Sequence, residues 1–136
     1  MIELKIPGCP IGKQRPIVTR RGAFTPKKTV NYENYVKELY IINKFPKLEG
    51  YISMSVKAYY PIPKSTSKKR KEMILKGILL PDKKPDCDNI LKCIADSLNT
   101  IAYDDDKQIV HMDIEKYYSE EPHVLIRLEK AHGEGE

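Results

Sequence analysis

The segment from Asp86 to Asp106, DCDNILKCIADSLNTIAYDDD, constrains the fold more than any other part of the chain. Apolar residues recur in it at helical intervals, namely Ile90, Leu91, Ile94, Ala95 and Leu98. This period predicts an amphipathic helix with one face packed on a core. Acids stand at both ends of the helix, with Asp86 and Asp88 before it and Asp104, Asp105 and Asp106 after it.

Crowded carboxylates indicate a bound cation, because they repel one another unless positive charge lies between them. The usual cation for an all-oxygen site is Mg²⁺, held by one or two carboxylates together with substrate phosphates. Asp88, Lys92 and Asp96 follow one another at intervals of four residues, so they share the polar face of the helix. The sequence therefore raises the hypothesis of a magnesium site for phosphate chemistry.

A strand is predicted next, over residues 108–118, with Val110, Met112 and Ile114 alternating with His111, Asp113 and Glu115. The two acid clusters approach each other only if this strand runs alongside the helix, and the spacing leaves that point open.

Simpler interpretations of the acids remain. An aspartate before an apolar helix is usually an N-cap. Lys92 and Asp96 alone fit a surface ion pair of little energetic weight, and the three later aspartates alone fit a solvated turn. A calcium-binding EF-hand is disfavoured, because Ile90 follows Asp86 where that loop needs a polar ligand and no glycine comes after it. Two acid clusters around one helix, in a chain of net charge +5, put metal binding on an equal footing with these interpretations.

Three strings carry a family resemblance. KPDCDNILKCIADSLN and YDDDKQI resemble the signature of the RusA-like Holliday-junction resolvases, small endonucleases of bacteria and their phages. That signature combines Asp-x-Asp-Asn, a lysine four residues after the second aspartate, a further aspartate, and Asp-Asp-x-Gln. The segment GKQRPIVTRRGAFTPKKTVNYE is similar to the opening of the same family. Two departures are visible, since Asp104 extends the usual acid pair and Cys87 stands where an apolar residue is expected.

The resemblance implies a Mg²⁺-dependent endodeoxyribonuclease that resolves four-way junctions by paired symmetric cuts, in recombination and repair. It implies catalytic roles for Asp86, Asp88, Lys92 and Asp106, and metal-binding roles for Asp86, Asp88, Asp105 and Asp106. Asp96 matches a further acid of the family signature, and the resemblance does not assign a role to that acid. Two cuts related by two-fold symmetry predict a homodimer. The alternatives are a metal-dependent nuclease of flaps or other branched DNA, and a noncatalytic module that binds nucleic acid.

Cations are concentrated in two stretches. Residues 9–32 contain six cations and no acid, and residues 64–76 contain six cations and Glu72 as their one acid. Such stretches are typical of proteins that bind a phosphate backbone. The predicted DNA contacts are Lys13, Arg15, Arg20, Arg21, Lys27 and Lys28 in the first stretch and Lys68, Lys69 and Arg70 in the second. A solvated helix face explains the second stretch equally well.

Local signals refine both basic stretches. Arg20-Arg21-Gly22-Ala23 has turn chemistry, which predicts a loop or hairpin whose Phe24 can stack on an exposed base. In the second stretch, Ser65 or Ser67 can cap a short basic helix.

The remaining pattern predicts a single α+β domain with a mixed sheet and helices packed mainly on one face. Strands are expected at 2–6, 52–60 and 124–128, and a tyrosine-rich helix over 29–43. The domain spans residues 1–130, followed by a flexible tail over 131–136. The sequence has no apolar run long enough for a membrane span and no signal-peptide pattern, and its three cysteines are not paired in spacing, so we expect a cytoplasmic protein.

Overall fold

A four-stranded mixed sheet frames the protein in the computed structural model, which describes residues 1–131. Its strands are β1 (Ile2–Pro7), β4 (Ile52–Pro61), β5 (Ile109–Ser119) and β6 (His123–Lys130), in the order β1-β6-β4-β5. β4 pairs parallel with β5 and antiparallel with β6, which also pairs antiparallel with β1. A separate two-stranded hairpin consists of β2 (Ile17–Thr19) and β3 (Gly22–Phe24). The predicted tail, apart from Ala131, lies outside the described residues.

The helices are α1 (Lys27–Ile42), α2 (Lys68–Leu75) and α3 (Cys87–Leu98), and a 3₁₀ turn (Asp106–Gln108) precedes β5. α1 begins two residues earlier than predicted, directly after Pro26. α2 begins after Ser67, whose hydroxyl accepts a hydrogen bond from the Arg70 backbone N–H at 3.2 Å. The second of the two predicted caps is therefore the correct one. Within the described part of the chain, no helix combines the length and the apolarity that crossing a bilayer requires.

The core lies on one face of the sheet. β1, β4 and β6 each bury every second residue, so their alternation appears as predicted. The helices cover this face with Tyr32, Val36 and Tyr40 from α1 and with Ile90, Ile94 and Leu98 from α3. The predicted α+β domain with a mixed sheet is confirmed.

The alternation predicted for β5 is only partly correct, because β5 is an edge strand. The register with β4 shifts between Ile52 and Ser53, which leaves Val110 as an extra residue in β5. Met112 lies beside buried Met54, yet it stays partly exposed at the open edge. Side-chain period alone does not distinguish a central strand from an edge strand.

Two buried tyrosines fix α3 to the rest of the domain. The Tyr60 hydroxyl donates a hydrogen bond to the carbonyl of Pro85, directly before α3. The Tyr103 hydroxyl donates to the carbonyl of Ala95 at 2.7 Å, inside α3. Burial raises the pKa of Tyr60 to about 12 and that of Tyr103 further, so both hydroxyls stay protonated donors at neutral pH. The helix that carries Asp88 and Asp96 is thus held at its start and near its C-terminal end.

Candidate active site and DNA interface

Asp86 and Asp88 stand at the exposed start of α3. Asp86 occupies the N-cap position, but its carboxylate accepts no capping hydrogen bond. Asp88 lies in the first turn, where the helix dipole favours an acid. The capping interpretation is therefore right about the position of Asp86 and wrong about its bonding, which leaves that carboxylate available to a cation.

A loop from the N-terminal region packs against this end of α3. The Lys13 backbone N–H donates to the Asn89 carbonyl at 2.9 Å. Gly12 lies so close to α3 that a Cβ on it would stand 2.8 Å from the Pro85 Cβ and 3.0 Å from the Asn89 Cβ. Nothing in the sequence spacing indicates this contact, because it joins segments far apart in the chain.

The loop and the helix start enclose an open cleft of about 770 Å³. Its lining includes Asp86 and Asp88 together with the cations Arg15, Lys28 and Lys84. Acids are thus placed among cations, which is the arrangement a metal-assisted site on a phosphate backbone requires.

Side-chain amides hold the acidic turn after α3 in place. Gln108 Oε1 accepts hydrogen bonds from the backbone N–H groups of Asp104 at 2.9 Å and Asp105 at 3.2 Å, and its Nε2 donates to the Gly50 carbonyl at 3.0 Å. Asn99 Oδ1 accepts from the Asp106 backbone N–H at 3.1 Å. Gln108 belongs to the family signature, but its function as the clamp of this turn is visible only in the structure.

The three aspartates of the turn have different partners. Asp104 is 81% exposed, and its Oδ1 forms an ion pair with Lys47 Nζ at 2.8 Å. A backbone hydrogen bond from Lys107 and a side-chain hydrogen bond from Asp106 lower the pKa of Asp105. The same side-chain bond, followed by desolvation and the charges of Asp105 and Asp96, raises the pKa of Asp106. Asp105 and Asp106 therefore interact closely, and their pKa values are shifted in opposite directions.

Lys92 and Asp96 lie near Asp106. Lys92 Nζ is 3.6 Å from Asp96 Oδ2, so the predicted polar stripe on α3 includes an ion pair. The positive charge of Lys92 is close enough to oppose the rise in the pKa of Asp106, and the negative charge of Asp96 adds to that rise. The predicted catalytic lysine and the third predicted acid therefore lie near each other.

Lys13 links the cleft to this group. It lines the cleft, yet its side chain is only 18% exposed, and its ammonium stands 3.0 Å from Glu33 Oε1 and 3.3 Å from Asp96 Oδ2. Burial works against the charged form, but the bonds to Glu33 and Asp96 outweigh it and raise the pKa of Lys13. The predicted DNA contact at Lys13 is thus already occupied by two carboxylates of the protein.

The donor chemistry fits Mg²⁺, although residues 1–131 contain no ready-made cage of three or more acidic, histidine or cysteine side chains. Asp86, Asp88, Asp105 and Asp106 are therefore not assembled as one closed set of ligands. Mg²⁺ commonly binds through only one or two carboxylates and completes its octahedron with water and substrate phosphates. Asp86 and Asp88, which line the cleft, meet that requirement.

The other predicted DNA contacts lie on exposed surfaces. Arg20 and Arg21 form the turn of the β2–β3 hairpin, and Lys27 begins α1. Lys68, Lys69 and Arg70 are exposed on the short helix α2.

Comparison with known proteins decides the family. The family model described as Endodeoxyribonuclease RusA matches residues 7–129. The chain belongs to the RusA family. It is also 38% identical over 138 residues to the "Uncharacterized protein YqaN" of Bacillus subtilis (strain 168), with 96% of each chain covered. The resemblance inferred from the motifs is confirmed, and the protein is an endodeoxyribonuclease of a RusA family that acts on branched DNA.

Proposed function

We propose that this RusA-family protein resolves four-way DNA junctions by paired symmetric hydrolysis of phosphodiester bonds, in recombination and repair, with Mg²⁺ as its cofactor. The observation that carries this proposal is the cleft that places Asp86 and Asp88 among cations, next to a helix whose other end leads into the clamped Asp105–Asp106 turn. Carboxylates that lie close together repel one another, and a divalent cation between them replaces that repulsion with attraction. Acids at both ends of α3, beside a cleft lined with cations, therefore favour metal binding over simple solvation of a turn.

The ligands we propose are Asp86 and Asp88 from the start of α3 and Asp105 and Asp106 from the turn. When bound, Mg²⁺ supplies charge neutralisation at the phosphate and a water of lowered pKa. The protein orients these oxygens by two different means. Tyr60 and the loop at Gly12 hold the start of α3, and Asn99 and Gln108 hold the turn.

Lys92 is proposed to stabilise the negative charge that develops on the phosphoryl group. Its ammonium lies 3.6 Å from Asp96 Oδ2 on α3 and is near enough to Asp106 to oppose the rise in the pKa of that carboxyl. A positive charge placed in advance near the reacting phosphate stabilises the transition state more than the ground state. Lys92 is too exposed to serve as a buried structural ion, which also supports a role toward substrate.

DNA is proposed to enter along the cleft, guided by Arg15, Lys28 and Lys84. Two symmetric cuts require two such sites, so we propose a C₂ homodimer that matches the two-fold symmetry of the junction. Because the proposed substrate is a DNA junction, we propose a cytoplasmic location.

The test is incubation of the purified protein with end-labelled four-way junctions in Mg²⁺ and, separately, in Ca²⁺. We expect paired incisions at symmetric positions in opposing strands with Mg²⁺ only. Asp88→Asn should keep its fold and its junction binding but lose the cuts. A flap and a linear duplex of the same sequence serve as comparison substrates. Preferred cleavage of the flap, single unpaired cuts, or equal cutting by Asp88→Asn would refute this function.

A further inference from the structure

The β2–β3 hairpin exposes apolar side chains that have no place in the core. All six residues of its two strands are exposed, with Val18 at 80%, Phe24 at 52% and Ile17 at 46%. A two-stranded hairpin is at best marginally stable by itself in water. Exposed apolar residues on such an element indicate a partner that covers them.

Both faces of the hairpin are apolar. Ile17 pairs with Phe24 and Val18 pairs with Ala23 across the two strands. Successive pairs of a ladder point to opposite faces, so one face carries Ile17 and Phe24 and the other carries Val18 and Ala23. The hairpin is therefore a thin apolar slab rather than an amphipathic element with one buried face.

The tip of the slab is cationic and locally braced. Thr19 Oγ1 donates to the Gly22 carbonyl at 3.2 Å and accepts from the Arg21 backbone N–H at 3.2 Å. Gly22 has φ +116°, a conformation that residues with a Cβ rarely adopt. These features hold Arg20 and Arg21 at the turn of the hairpin.

The hairpin is rooted at the cleft. Arg15, just before β2, and Lys28, just after β3, both line the cleft that contains Asp86 and Asp88. A molecule bound to the hairpin therefore lies close to any substrate held in the cleft. No acid occurs from residue 9 to residue 32, so the surroundings suit a polyanion.

We propose that residues 17–24 are a branch-point probe, whose apolar slab stacks on base faces exposed at a DNA junction while Arg20 and Arg21 bind the adjoining phosphates. Apolar side chains insert between unstacked base steps, and an aromatic ring stacks on a base without regard to sequence. The base pairs inside a linear duplex are stacked and expose no base faces, so on a duplex only the two arginines of the hairpin contribute to binding. This inference rests on the proposed function and adds the element that distinguishes branched from linear DNA.

The test compares two double variants for binding in Ca²⁺ to a four-way junction and to a linear duplex of the same sequence. Val18→Ser with Phe24→Ser alters the slab, and Arg20→Ala with Arg21→Ala alters the tip. A 2-aminopurine placed at the branch point reports unstacking by its fluorescence. Size-exclusion chromatography with light scattering reports the oligomeric state, and duplex binding reports that the fold is intact.

The slab variant is expected to lose about tenfold in junction affinity and the rise in 2-aminopurine fluorescence, with duplex affinity unchanged within about twofold. The tip variant is expected to weaken binding to both DNAs by a similar factor and to lower the salt dependence of both.

Three results would overturn the inference. Unchanged junction preference and fluorescence in the slab variant would remove the probe while leaving junction resolution intact. Conversion of a dimer to a monomer by the slab variant would show that a second copy of the chain, and not DNA, covers the slab. A wild-type protein that neither prefers nor cuts the junction would refute the proposed function together with the probe.

Discussion

The two acid clusters that flank α3 are similar in sequence and different in structure. Asp86 and Asp88 are exposed at the helix start, and the N-cap carboxylate accepts no capping hydrogen bond. The Asp104–Asp106 turn is clamped through its backbone by Gln108 and Asn99. The Asp86–Asp88 cluster thus lines the cleft, and the backbone of the Asp104–Asp106 turn is already held in place by hydrogen bonds. This difference suits a site whose ligand set closes only when ion and phosphate arrive together.

The acidic turn contains a second contrast. Asp105, desolvation and the charge of Asp96 raise the pKa of Asp106, whereas Asp104 forms an exposed ion pair with Lys47. Two aspartates of the same turn therefore differ in their partners, because the charge of Asp104 is already paired with a lysine of the protein. We expect this difference to divide catalytic from dispensable acids.

The largest effect is expected for Asp106→Asn. Its carboxylate is proposed as a metal ligand. Removing a residue that only supports a metal ligand commonly lowers metal affinity or activity ten- to a hundredfold, so we expect single-turnover cleavage by this variant to fall by more than about a hundredfold. The Asn99 bond to the residue 106 backbone does not depend on the side chain. Junction binding in Ca²⁺ should therefore stay within about twofold of wild type. Near-normal cleavage would remove the turn from the site.

Lys92→Met should be next, with cleavage lowered by about a hundredfold, the loss typical of removing one group that stabilises a developing negative charge. Junction binding should change little, because one exposed cation contributes modestly to total phosphate contact. Lys130→Met, at the exposed end of β6, is the matched control and should cleave normally. Equal loss of binding and cleavage in Lys92→Met would make Lys92 a DNA contact instead of a catalytic residue.

Gly12→Ala tests the other acid cluster, at the start of α3, against which the Gly12 loop packs. The new Cβ would overlap Pro85 and Asn89, so the loop must move away from the start of α3. We expect a loss of about 1–3 kcal/mol in the free energy of unfolding, measured by urea denaturation, together with slower cleavage. Gly8→Ala is the control, since its cost comes from a backbone φ of +106° and its Cβ would meet nothing within 4 Å. Normal cleavage by Gly12→Ala would show that the loop does not shape the site.

The smallest effect is expected for Asp104→Asn. It removes an exposed ion pair with Lys47, and such pairs contribute less than about 1 kcal/mol to stability. The cleavage rate should stay within about twofold of wild type in the same single-turnover assay. A loss comparable to that of Asp106→Asn would erase the contrast within the turn and make Asp104 a ligand.

The secondary structure was predictable from the sequence to different degrees along the chain. The period of Ile90, Ile94 and Leu98 predicted α3, and alternation predicted β1, β4 and β6, because both signals arise within one element. β5 departed from its pattern, since a register shift and its edge position leave Val110 and Met112 exposed. The acids and Lys92 were identified from spacing and family signature, but their ligand roles stay predictions.

By itself, the sequence determined the amphipathic α3, the acids at its ends, the basic stretches and the RusA family, because these depend on residues close together in the chain. Only the tertiary structure decided which partner each side chain meets. It placed the Lys13 ammonium between Glu33 and Asp96, Gly12 against Pro85, and the Gln108 amide against the Gly50 carbonyl. Such contacts join segments that are distant in sequence, and packing between elements selects them in a way that local periodicity does not encode.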